Sequence, residues 1–67
     1  MLVKELMRML HPEANIRVEL VDVKQYIIDK PENVAKRFGD RKMYDWHASN
    51  LEKQKASELK YHFEIYI

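Results

Sequence analysis

Between Leu2 and Leu10 the apolar residues Val3, Leu6, Met7 and Leu10 recur at i, i+3, i+4 and i+7, the repeat that lines one side of a helix, while Lys4, Glu5 and Arg8 take the other side. Pro12 disfavours helical geometry at His11 ahead of it, so the spacing predicts a helix that stops near His11. From Asn15 the period changes to two. Ile16, Val18 and Leu20 alternate with Arg17 and Glu19, as in a strand with one buried face. At Val21 and Val23 the apolar parity slips, which fits a bulge or a stretch buried on both sides. Tyr26, Ile27 and Ile28 then form a short β-rich run, either the continuation of one long bent strand or a second strand turning back; no Gly or Asn at 22–25 marks a tight hairpin.

Asp29 and Glu32 form a DxxE start signal around Pro31, a residue at home in the first turn, and Val34, Ala35 and Phe38 supply the apolar side of a second helix. Gly39, the one glycine in the chain, follows Phe38 where a left-handed C-cap is expected. From Asp40 to His47 the order Met43, Tyr44, Asp45, Trp46 reads as a strand with Tyr44 and Trp46 on one face, or as an aromatic loop. Ser49 with Glu52 makes a capping box ahead of Leu51, Ala56 and Leu59, predicting a polar third helix to about Ser57, with a solvated hairpin arm as the rival reading. The alternation from Leu59 through Tyr61, Phe63, Ile65 and Ile67 is the clearest strand signal in the chain.

These elements predict a small α+β domain over residues 1–67, with two or three helices on one face of a three- to four-stranded antiparallel or mixed sheet. The predicted core is Val3, Leu6, Met7, Leu10, Ile16, Val18, Leu20, Val34, Phe38, Leu59, Tyr61, Phe63, Ile65 and Ile67.

At 67 residues there is room for one compact unit, which buries only about 60% of its unfolded surface and gains stability from whatever binds its folded form. With 46% hydrophobic and 34% charged residues and a net charge of +1, the composition is that of neither a disordered chain nor a polycation. The absence of cysteine rules out a disulfide framework and thiolate metal sites. No apolar run is long enough for a membrane span, and Lys4, Glu5 and Arg8 interrupt any signal-peptide core, so a soluble protein of the cytoplasm is expected.

Candidate chemistry is sparse. Asp45 with His47, and His62 with Glu64, have the i, i+2 spacing that places two ligands on one strand face, and adjacent strands would bring four ligands to a zinc ion; a solvated strand face explains the same residues. No Gly-rich phosphate loop, GxSxG turn, HExxH or carboxylate cluster is present, so no enzyme, metal or cofactor is expected. Lys30, Lys36, Arg37, Arg41 and Lys42 outnumber Glu32 and Asp40, and Tyr44 and Trp46 follow them. Lys36, Arg37, Arg41, Lys42 and Trp46 therefore form a candidate patch for nucleic acid or an acidic partner, combining charge with a stacking ring. The bland alternative is a solvated helix face with Trp46 as a core anchor. Tyr66, on the non-core parity of the last strand, with Tyr44 and the off-face Met9, makes up a candidate protein interface.

The opening VKELMRML at Val3 to Leu10, the HPEAN loop and NIRVEL strand after it, and the closing FEIYI at Phe63 to Ile67 resemble small accessory proteins of bacteriophages and prophages. The segment from Lys30 to Lys60 departs from the short acidic centre of such proteins. The resemblance implies a module of a class that includes inhibitors of host defence systems such as anti-CRISPR proteins. No functional residue carries over, because the matched positions are core positions. The expectation is a non-enzymatic interaction module with a host protein or a second copy of itself as partner, the alternative being a small nucleic-acid-binding protein.

Overall fold

A computed structural model describes all 67 residues. Its radius of gyration of 11.2 Å matches the roughly 11 Å of a folded chain of this length. The amphipathic start folds as helix α1 (Val3–Met7), with Val3, Leu6 and Met7 buried. It is shorter than the apolar spacing predicts. Beyond Met7 the chain tightens into three-residue turns, the Met9 amide donating to Leu6 O and the Leu10 amide to Met7 O.

Strand β1 (Ile16–Leu20) and strand β2 (Gln25–Asp29) pair antiparallel, with Val18 opposite Ile27. Two short strands are thus present, and the apolar parity slip at Val21 and Val23 is neither a bulge nor a doubly buried stretch. Both valines stand exposed in the turn, which Lys24 closes with a positive φ of 54° in place of the missing Gly or Asn.

Helix α2 (Pro31–Phe38) begins one residue later than a cap at Asp29 requires: Lys30 is the N-cap and Pro31 takes the first helical position. The Asp29 carboxylate, still on β2, accepts from the Lys30 amide at 2.7 Å and from Asn33 Nδ2 at 2.8 Å. Gly39 is right-handed (φ −54°, ψ −34°), not the left-handed cap expected. Its role is close approach: the Lys4 amide donates to Gly39 O at 3.0 Å, joining the helices backbone to backbone.

Strand β3 (Asp45–Ala48) leads to a single 3-10 turn at Leu51–Lys53. No third α-helix follows. Asn50, not Ser49, caps that turn by accepting from the Glu52 amide, while Ser49 Oγ accepts from Gln54 Nε2. The Gln54 amide also pairs with both backbone groups of Tyr61, and this holds residues 54–61 as a looped arm.

Strand β4 covers only Phe63–Tyr66. The sequence alternation reaches back to Leu59, but the ladder partners do not, since Phe63 lies opposite both Ile16, where β1 begins, and Ala48, where β3 ends. Leu59 is accordingly 62% exposed, and Tyr61 is half-buried outside the core. Asn15 fixes this junction: its amide donates to His62 Nδ1, its Nδ2 to Lys60 O, and its carbonyl accepts from the His62 amide.

The four strands form one mixed sheet in the order β2-β1-β4-β3, in which β1 and β4 run parallel and the other pairs antiparallel. Register places Ile27, Val18, Ile65 and Trp46 on one face and Tyr26, Glu19, Tyr66 and Asp45 on the other. The hydrophobic cluster joins Val3, Leu6 and Met7 of α1 and Val34 and Phe38 of α2 to Ile16, Val18, Ile65 and Ile67, with Ala14 completing it; Leu10, Leu20 and Phe63 are only partly buried. The domain is therefore a small α+β unit, and no helix is long and apolar enough to cross a membrane.

Candidate protein interface

Sheet order leaves β2 and β3 at the edges, and β3 is the more open: all four of its residues are exposed. An edge strand presents backbone donors and acceptors that no neighbour uses. On β3 the Trp46 amide is already taken by its neighbour's carboxylate, Asp45 Oδ1, at 2.8 Å. One backbone donor of this edge is therefore already in use. Trp46 is 44% exposed and Tyr44, just before the strand, 74% exposed, so Trp46 is not the core anchor that a lone tryptophan usually supplies. Met43, next to them, is the residue that packs against the core.

The basic residues of the sequence patch are placed differently from one another. Lys36 pairs with Glu32 at 3.3 Å across one helical turn. The Arg37 guanidinium lies 5.0 Å from the Phe38 ring. Arg41 and Lys42 are exposed in the loop before β3, where their backbones hold the start of α1: Arg41 O accepts the Val3 amide, and Lys42 forms an isolated bridge with Leu2. Arg41 and Lys42 thus stand in sequence next to Tyr44 and Trp46, while Lys36 and Arg37 belong to α2. Met9 is 64% exposed in the turn after α1.

The second sheet face carries a polar network. The His47 imidazole meets the Glu64 carboxylate across the β3–β4 ladder, and Tyr66 Oη donates to the same Glu64 oxygen at 3.2 Å. The rings of His47 and Tyr66 lie 5.7 Å apart. Tyr66 is half-buried, facing away from the core parity as the alternation requires; burial, and then the Glu64 charge, push its phenol above the usual tyrosine range. Further along this face the Arg17 guanidinium sits 4.2 Å over the Tyr26 ring and 5.9 Å from Tyr61, and 3.7 Å from Glu19. Arg17, Tyr26 and Tyr61 line a groove together with Ile28, Glu58 and Leu59. Sequence reading missed this arginine-tyrosine stack, because Arg17 and Tyr26 meet only through the β1–β2 register and Tyr61 only through the looped arm.

The two candidate ligand pairs do lie on adjacent segments, yet only His47 and Glu64 meet. Asp45 is engaged with the Trp46 amide, and His62 precedes β4 with its Nδ1 accepting from Asn15. No group of three or more metal-ligating side chains forms.

A cleft of about 530 Å³ lies between α1 and α2, lined by Lys4, Met7, Arg8, Leu10, Pro12, Pro31, Glu32, Ala35 and Lys36. Comparison of the chain with protein-family models, with curated proteins and with solved structures finds no match.

Proposed function

We propose that this chain is a small non-enzymatic protein-interaction module of phage or prophage type that acts in the cytoplasm by occupying a host protein, a component of a defence complex being the class of target. The observation that carries the reading is the β3 edge, a strand exposed at every residue, where Trp46 on the strand and Tyr44 just before it both present ring surface to solvent. Tyrosine and tryptophan dominate interface energetics, because each covers a large area at little cost in side-chain entropy. The resemblance of Val3–Leu10 and Phe63–Ile67 to phage accessory proteins supports the setting. In this reading the two helices cover the sheet face of Val18 and Ile65, and the face of Tyr66 and Arg17 adjoins the bound partner. A second copy of the chain is the competing occupant of the same edge.

The test is capture of partners by the tagged chain from a lysate of its native cell, with and without nuclease, beside a Tyr44→Ala/Trp46→Ala variant. One protein recovered in near-stoichiometric amount, insensitive to nuclease and lost from the variant, is the expected result. Equal recovery by the variant overturns the reading, as does recovery of this chain alone.

A second reading, nucleic-acid binding through Lys36, Arg37, Arg41, Lys42 and Trp46, is favoured by one observation: Arg37, Arg41 and Lys42 are exposed and engage in no ion pair. Its signature is capture that nuclease abolishes, together with salt-dependent oligonucleotide binding that Arg37→Glu/Arg41→Glu removes.

A further inference from the structure

We infer that the cleft between α1 and α2 is a second docking site, separate from the β3 edge, and that it takes a short acidic segment of another protein anchored by an aliphatic side chain. The floor of the cleft is apolar: Met7 and Pro31 are buried, Leu10 and Ala35 half-buried, and the exposed Pro12 adds to the lining. At about 530 Å³ it falls within the range of roughly 300–1,000 Å³ in which compact apolar groups are held.

Charge selects the occupant. Three cations, Lys4, Arg8 and Lys36, line the cleft against one carboxylate, Glu32. Lys36 is paired with Glu32, both largely solvated, and Lys4 is paired with Asp40 at 2.9 Å, where Asp40 is largely solvated and Lys4 half-exposed. Such exposed pairs are weak, so a carboxylate arriving from a partner exchanges for them at little cost. Arg8 has no ion-pair partner and is exposed, leaving a planar guanidinium ready for bidentate contact with an incoming carboxylate. A basic segment meets the unpaired Arg8 and finds as its one acceptor in the lining Glu32, already paired with Lys36. A fully polar polyanion leaves the apolar floor uncovered, so the floor and the rim together point to a peptide that carries both acidic and aliphatic groups.

The probe is a random peptide library displayed against the immobilised full chain, followed by titration of the selected peptide. The expected outcome is enrichment of sequences in which Asp or Glu flank Leu, Ile or Met. NMR shifts on titration should concentrate at Met7, Leu10 and Ala35. Arg8→Glu and Lys36→Glu, both at exposed positions, should each weaken binding by about tenfold, with the Tyr44→Ala/Trp46→Ala variant binding as the parent does. Two separate reversals keep the test decisive if one of them disturbs the fold. Enrichment of basic or charge-free peptides, shifts confined to β3, tighter binding of a single-stranded oligonucleotide than of any peptide, or undiminished binding by both reversals would each overturn the inference. Loss of binding in the Tyr44/Trp46 variant alone would return the peptide to the β3 edge.

Discussion

The carbonyl oxygen of Gly39 accepts the amide of Lys4 at 3.0 Å, so the end of α2 and the start of α1 touch through their backbones. A Cβ at Gly39 would stand 3.2 Å from the Lys4 Cβ and inside van der Waals contact of the Ala35 carbonyl oxygen. Ordinarily Gly→Ala at a right-handed position stabilises by roughly 0.4–1 kcal/mol. Here crowding reverses the sign: Gly39→Ala should cost about 1–3 kcal/mol, read as a lower urea midpoint. An unchanged or higher midpoint would mean that the helices do not approach this closely.

How much of this was legible beforehand depended on sequence distance. The period of three to four at Val3 to Leu10 and the period of two at Ile16 to Leu20 are local signals; β1 fills the whole of its signal, and α1 starts with its own but ends at Met7. The excess length assigned to the final strand has a non-local cause, because alternation at Leu59 and Tyr61 persists whether or not a neighbour exists to pair with. That neighbour is absent upstream of Phe63, since β1 starts at Ile16 and Asn15 turns its polar groups onto residues 60–63. At Gly39 the sequence shows that a side chain is absent but not which atom fills its place, so the glycine points to a left-handed cap where the structure has a close approach to Lys4. At the interface, exposure of Tyr44 and Trp46 follows from β3 lying at an edge, and the strand order that puts it there arises from the parallel β1–β4 pairing across more than forty residues.

Lys24 occupies the left-handed region with φ 54°, a conformation that costs a residue bearing a Cβ roughly 1–2 kcal/mol. Lys24→Gly removes that cost but loosens the unfolded chain, so a net gain of up to about 1 kcal/mol is expected. Lys24→Asn should shift stability in the same direction by less, and Lys24→Val should lower it. Denaturation midpoints for the three variants test the order; a loss with glycine would place this turn outside the left-handed region.

Asp29 is held below the usual carboxylate range, first by the hydrogen bond from the Asn33 side-chain amide and then by the Lys30 backbone N–H. A carboxyl group whose folded pKa is depressed contributes stability above its unfolded value, and that contribution disappears as pH falls through the folded value. The parent should therefore exceed Asp29→Asn in urea midpoint at about pH 7, with the difference narrowing below about pH 4 and closing in stronger acid. A difference independent of pH would show that the Asp29 charge contributes nothing to the start of α2.

Ile65 and Leu59 carry the same apolar parity in the sequence, yet Ile65 is fully buried on β4 between β1 and β3, while Leu59 is 62% exposed. Truncating Ile65 to Ala removes side-chain contacts that a close-packed core does not replace, at a cost of about 2–5 kcal/mol, enough to unfold much of so small a domain. Ile65→Val, deleting one methyl group, should cost about 0.5–1.5 kcal/mol and keep the effect measurable if the alanine variant does not fold. Leu59→Ala should stay within about 0.5 kcal/mol of the parent, as substitutions away from packed positions do. The two alanine variants thus separate the two registers directly. Equal destabilisation would mean that the last strand extends back to Leu59, adding a row of pairing beyond Ile16 and Ala48 and drawing Tyr61 away from Arg17; a large effect at Ile65 beside a negligible one at Leu59 fixes the start of β4 at Phe63 and leaves the groove around Arg17 open.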